Sequence, residues 1–144
     1  MPIDDAERER RRKLMDVHIG AENAHDLDAI MATFADDPEN RFDSTIFSGR
    51  DAIAQGHVSI GMDATTPGAL ANLRVVIDQE YFTEKEIIVR GRLQGKHVGN
   101  LSGVAPPTNA EISMPFFTVY RFDAADKVDY ERVVMNLSPL GKPE

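Results

Sequence analysis

An α+β fold is what this sequence predicts, with three N-terminal helices packed on one face of a strongly curved, mostly antiparallel sheet. Three observations predict it. Apolar residues recur at spacings of three and four through the first sixty residues, the period of a helix. From residue 71 onward they alternate by twos, the period of a strand. The 144-residue length and the balance of 42% hydrophobic to 28% charged residues suit one domain, residues 1–144, whose core can enclose a pocket.

The first helix begins at Asp4 and Asp5, which suit an N-terminal cap and the positive end of the helix dipole. Leu14, Val17, His18, Ala21 and Ala24 or His25 make its inner stripe. The pattern breaks at Asn23-Ala24-His25-Asp26, and Asp26 caps a second helix with Leu27, Ile30, Met31 and Phe34 inward. Asp36-Asp37-Pro38 is expected to end that helix, because the residue before proline avoids helical geometry. A short strand over 41–47 follows. Ser48 caps a third helix with Ile53, His57, Val58 and Ile60 or Gly61 on its inner side.

After a loop at 63–70 the chain reads as strands over 71–82, 86–98, 111–122 and 127–137. A turn at 83–85, a Gly/Pro loop at 99–110 and a tight turn at 123–126 join them. Helices over one face of a curved sheet leave a space between the layers, a natural apolar pocket.

Composition excludes several chemistries. The chain has no cysteine, so disulfides, thiol nucleophiles and cysteine metal sites are out. The net charge is −8, and five of the sixteen bases sit in residues 4–13 beside four acids. The remaining body is strongly acidic, which argues against nucleic acid as a partner. The Arg8–Lys13 run reads as a solvated helical turn. No apolar run approaches the ~18 residues that span a bilayer, and residues 1–13 lack the apolar core of a secretory leader. A cytoplasmic protein with no membrane partner is expected. No H-E-x-x-H, His-x-His, EF-hand, G-x-G-x-x-G or Walker pattern is present, so neither metal nor cofactor is expected.

The element order resembles the nuclear transport factor 2-like superfamily, a cystatin-like, cone-shaped fold. Within it the chain is similar to the SnoaL-like, polyketide or ester cyclase-like branch. The residues that carry this are Gly95-Lys96-His97-Val98-Gly99, Gly103, Pro106-Pro107-Thr108, Lys127-Val128, Leu140-Gly141 and the Asn23–Asp28 turn. The resemblance implies a ligand pocket inside the cone. It also implies an aspartate acid/base on the last strand with an aromatic residue four positions before it. Aligned on Lys127-Val128, Asn136 stands at the aspartate position and Arg132 at the aromatic one.

His97 is the leading catalytic candidate. Counting by twos from Ile87 puts it on the apolar face of its strand, and imidazole titrates near neutral pH. Asn136 is the second, as a donor to a carbonyl or oxyanion. Arg132 shares a strand face with Asn136. It either pairs with an acid such as Asp43, binds an anionic ligand, or turns to solvent. Tyr120, His57, Asn23 and Asp43 complete the substrate-binding candidates, with His18 also on the inner helix face. The function expected is binding of a small, partly apolar carbonyl compound, with cofactor-free proton transfer of the isomerase, cyclase or lyase type. The alternative is a non-catalytic binding or dimerisation module that has lost the family's aspartate. A homodimer is expected through an outer sheet face carrying Val76, Ile88, Phe117, Val119 and Val133, too large an apolar patch for a monomer.

Overall fold

The computed structural model describes residues 3–103 and 105–140; Gly141 of the Leu140-Gly141 close lies outside them. The elements run α1 (Asp5–Asn23), α2 (Leu27–Met31), β1 (Phe34–Phe42), β2 (Thr45–Ser48), α3 (Arg50–Ile60), β3 (Leu70–Phe82), β4 (Glu86–His97), β5 (Glu111–Phe122) and β6 (Val128–Met135). A 3₁₀ turn follows at Ser138–Leu140. The strands form one six-stranded sheet in the order β2-β1-β6-β5-β4-β3. All its ladders are antiparallel except β1 with β6, which is parallel. The helices cover one face of this curved sheet, the α+β cone expected. No helix among the described residues is long and apolar enough to cross a membrane.

Asp4 caps α1 by accepting from the Glu7 N–H, and Asp26 caps α2 by accepting from Ala29. The buried face of α1 is Arg11, Met15, His18, Ala21 and Glu22; Val17, expected inside, is exposed. Arg11 also departs from the solvated reading of its segment. Its guanidinium pairs with Glu7 and Asp126 and lies over the Phe122 ring, tying α1 to the β5–β6 turn.

α2 stops at Met31, seven residues before Pro38, and Phe34 opens β1 instead of continuing a helix. Pro38 is tolerated in this strand because the β1–β6 register breaks between Phe34 and Glu39, where no ladder bond is asked of it. Gly49, not Ser48, is the N-cap of α3, with no side-chain cap bond. The helix is instead held by Arg50, whose guanidinium donates to the carbonyls of Met31, Phe34 and Ala35. α3 ends at Gly61, at φ +119°, where a side chain would run into the Leu70 carbonyl.

The core lies between helices and sheet. Met15 and Ile30, Ile53 from α3, and Leu73, Val89 and Met114 from the sheet are buried there. Along β4 every second residue from Ile87 to His97 is buried, and along β5 Met114, Phe116, Thr118 and Tyr120 are, as the alternation predicts. β6 departs from simple alternation. Arg121 pairs with Tyr130 while the next residue, Phe122, pairs with Val128, so one extra residue bulges from β6. Beyond that bulge Glu131, Val133 and Met135 face inward, and Arg132, Val134 and Asn136 face outward.

Candidate functional site

A cavity of about 280 Å³ opens inside the cone. Ile19, Ile53 and Ile60 line its helical side, and Val75, Leu93, Phe116 and Val133 its sheet side. Phe42, Phe47 and the Asn100–Gly103 loop stand around it, giving apolar walls. Six of its polar groups belong to one cluster: Glu22 from α1, Asn40 from β1, His57 from α3, Thr118 and Tyr120 from β5, and Glu131 from β6; Thr45, Ser59, Asn100 and Ser102 also line it.

Each is positioned by its element. Asn40 and Glu131 are register partners on the parallel β1–β6 ladder, and the Asn40 Nδ2 donates to Glu131 Oε2 at 3.0 Å. Tyr120 is the register partner of Glu131 on the other side, and its hydroxyl donates to the same carboxylate. His57 sits one turn from the α3 C-terminus and donates through Nδ1 to the Ile53 carbonyl at 2.8 Å. Behind the lining, His18 is wholly buried on α1 with its Nδ1 2.7 Å from Thr33 Oγ1. Thr33 gives its own proton to the Ile30 carbonyl, so the His18 nitrogen is the donor. His18 Nε2 lies 2.6 Å from Glu22 Oε1, one helical turn along.

Burial and charge set the protonation of this group. Burial pushes the Glu131 carboxyl up to about 7; the His18 charge pulls against that, and Glu22 adds to it. Burial also disfavours the His18 imidazolium, but Glu22 beside it outweighs the penalty and holds its pKa above the usual value. His57 has only partial help from Glu22, so burial keeps it low and neutral. Burial raises the Tyr120 phenol well above its usual value, and the two carboxylates raise it further. The arrangement is a buried network of titratable groups in which Glu131 titrates near neutral pH. Donor atoms of His18, His57 and Glu131 come within 4.8 Å of one another, near enough for a metal ion. Glu22 already closes the His18 nitrogen, so the cluster fits proton sharing better than coordination.

Of the residues singled out in the sequence, Tyr120 and His57 line the cavity. The others do not. Asn136 is exposed on the outer face and its Oδ1 accepts from the Ser138 N–H. Arg132 is also exposed on that face, so the solvent alternative is the one observed. Asp43 neither meets Arg132 nor enters the cavity; its Oδ1 accepts from the Met135 N–H and secures the end of β6. Asn23 binds the Val75 backbone through both amide atoms, joining α1 to β3. His97 is buried on the predicted face but outside the cavity lining. Its Nδ1 accepts from the Thr108 N–H at 3.3 Å, which pins the 98–110 loop.

Glu131, Glu22 and Asn40 were missed by sequence reasoning. The signal for Glu131 was faint: an acid within a run of inward apolar residues, Val128, Val133 and Met135, whose face only the bulge reveals. Glu22 was legible as the i+4 neighbour of His18 on a helix face.

Residues 16–130 match the model of the SnoaL-like domain family. Among solved structures, a chain from Jannaschia sp. CCS1 assigned as a SnoaL-like polyketide cyclase is 21% identical, with a TM-score of 0.73 over 100% of this chain and 97% of that one. SalBIII, an epoxide hydrolase/cyclase-like enzyme of pyran ring formation in salinomycin, is 15% identical, with a TM-score of 0.73 over 91% and 94%. A protein of ketosteroid isomerase-like fold from Catenulispora acidiphila DSM 44928, in complex with trimethylamine, is 16% identical, with a TM-score of 0.70 over 88% of each. At these identities the likeness is one of fold. No curated protein matches the chain. The family model spans both the helical layer and most of the sheet that together enclose the cavity, and on that match the chain belongs to the SnoaL-like domain family.

Proposed function

We propose that the protein binds a small, partly apolar compound in its cone and catalyses cofactor-free proton transfer on it, of the isomerase, cyclase or lyase type. Glu131 is the proton carrier. The observation that carries this reading is a buried carboxyl on the polar side of a cavity whose other side is apolar, bonded by Tyr120 and Asn40 and titrating near 7. A group of that pKa is half ionised at neutral pH and serves both as base and as acid. His18 and Glu22 tune it from behind. The carbonyl donor expected at Asn136 and the anion-binding group expected at Arg132 lie outside the cavity, so this reading rests on the apolar walls and the acid, not on those two residues. The alternative, a non-catalytic binding or dimerisation module, cannot draw support from Asn136, because that position faces outward.

A homodimer through the outer sheet face and a cytoplasmic location belong to the same reading. Val133 is turned inward, but Phe117 and Val134 are each about half exposed on the outer face. The test of the catalytic reading is hydrogen–deuterium exchange at carbon, followed by NMR in D₂O over a panel of small C–H acids. Wild type is expected to accelerate exchange on at least one probe with an apparent pKa near 7. Glu131→Gln should lose roughly 10²–10⁴-fold of that rate. Equal rates in the two proteins refute the reading.

A further inference from the structure

The proton-transfer reading uses one carboxylate and leaves other acceptors around it without partners. His57 gives its Nδ1 proton to the Ile53 carbonyl, so its Nε2 carries a lone pair. Asn40 spends its N–H on Glu131, and its carbonyl oxygen Oδ1 is buried with no hydrogen-bond partner. Both residues line the cavity. Buried acceptors left unmet are costly, so a ligand that reaches them is expected to bring donors.

The charges point the same way. Glu22 is matched by His18 at 2.6 Å. Glu131 has only neutral donors, the Asn40 amide and the Tyr120 phenol. Among the described residues no arginine or lysine lines the cavity. His57, held neutral by burial, supplies no charge. When Glu131 ionises, the two carboxylates Glu22 and Glu131 share the one imidazolium of His18, which lies against Glu22, and the wall holds one net negative charge. The remaining walls include the rings of Phe42, Phe47 and Phe116, whose faces attract cations.

We propose that the ligand of this cavity is a small organic cation, an apolar body carrying a primary ammonium group whose three N–H donors meet Glu131, Asn40 Oδ1 and His57 Nε2. This rests on the ligand-site reading above and names the ligand class. Hydrogen bonds of about 2.8–3.0 Å let one nitrogen bridge acceptors that lie up to roughly twice that distance apart. A ring nitrogen of His57 and a carboxylate oxygen of Glu131 lie within 4.8 Å of each other, inside that reach. A carboxylate or phosphate in the same place would set negative charge and lone pairs against lone pairs. A cationic nitrogen also stabilises negative charge that develops on the carbon beside it, which helps a carboxylate base remove a proton there.

One consequence is measurable without knowing the natural ligand. Glu131 is partly protonated at pH 7, and a cation against it drives that proton off. Binding then releases protons to the buffer, which a neutral ligand does not do.

The experiment is calorimetric titration at pH 7 with cyclohexylammonium, cyclohexanol and cyclohexanecarboxylate, in two buffers of different ionisation enthalpy. Cyclohexylammonium is expected to bind at least tenfold more tightly than either of the others, with heats that differ between buffers in the sense of proton release. Glu131→Gln, which keeps the shape of the side chain, should erase both the preference and the buffer dependence. Tighter binding of the alcohol or carboxylate overturns the cation proposal and leaves the ligand site standing. A preference for the ammonium that survives Glu131→Gln overturns the seat assigned to it. If none of the three binds at millimolar concentration, the ligand-site reading fails and the cation proposal falls with it. Should Glu131→Gln fail to fold, the buffer dependence of the wild-type heats decides alone.

Discussion

Asn40 on β1 and Glu131 on β6 face each other across the one parallel ladder of the sheet, and the asparagine amide donates to the glutamate carboxylate at 3.0 Å. The contact joins residues 91 positions apart in sequence. It seats a carboxyl in a buried position, and burial holds its proton to about pH 7 against the pull of the His18 charge and the Tyr120 hydrogen bond.

That raised pKa fixes the direction of a stability change. The folded carboxyl binds its proton more tightly than the unfolded one, whose ordinary value is 4.5. Stability from this group is therefore full below about 4.5 and falls as pH rises toward about 7, by roughly 3 kcal/mol if Glu131 acted alone. Glu131→Gln should flatten that part of the curve and raise stability at pH 8. Urea unfolding from pH 4 to 8 in both proteins checks it. A parallel pH dependence in the two would show that the proton resides elsewhere.

The His18–Glu22 pair is buried, so removing one partner strands the other. His18→Ala should cost about 3–5 kcal/mol, and His18→Ala with Glu22→Gln less than His18→Ala alone. The His18 pKa is raised, so the pair's contribution is greatest below pH 6.5 and is lost as pH rises through the folded value. Denaturant midpoints of the two single variants and the double variant at pH 6 and pH 9 measure both statements.

Arg132→Ala and Asn136→Asp test the face assigned to β6. Both side chains are on the outer surface, so each substitution should change stability by no more than about 0.5 kcal/mol and leave ligand affinity unchanged. Thermal melting and titration with the same cyclohexyl probes suffice. A tenfold loss of affinity in either variant would mean that the inward face of the strand has been misassigned.

His97→Ala separates a latch from a catalyst. Nδ1 holds the Thr108 N–H, so its loss should cost about 1–3 kcal/mol and speed amide exchange across residues 98–110. The pH profile of proton transfer should keep its midpoint, because His97 does not line the cavity. Exchange mass spectrometry and the rate profile of the variant answer the two halves.

The outer sheet face predicts association. Phe117 is 51% exposed and Val134 50%, on neighbouring strands in register with one another. Light scattering is expected to return twice the chain mass of 16.0 kDa, and Phe117→Glu to return that mass once. A wild-type mass near 16 kDa at micromolar concentration would refute the dimer.

Local chemistry made much of the fold legible. Asp4 and Asp26 are caps whichever fold surrounds them, and the alternation from Ile87 to His97 defines one face of β4 from steric period alone. His57 and Tyr120 were readable as cavity residues for the same reason: each lies on an element whose period is unbroken between it and its buried neighbours. The length of α2 was not readable, since Pro38 ends a helix in one setting and sits in a register break in another, and only the pairing of β1 with β6 decides which.

The sequence by itself determined that helices would cover a sheet and leave a pocket, because hydrophobic period is a property of neighbouring residues. Tertiary structure alone decided what stands in the pocket. A single extra residue where β6 leaves its turn reverses every side chain beyond it, taking Arg132 and Asn136 out and bringing Glu131 in. A bulge is set by how two paired strands settle against each other and against the helices, and counting by twos along one strand carries no trace of it.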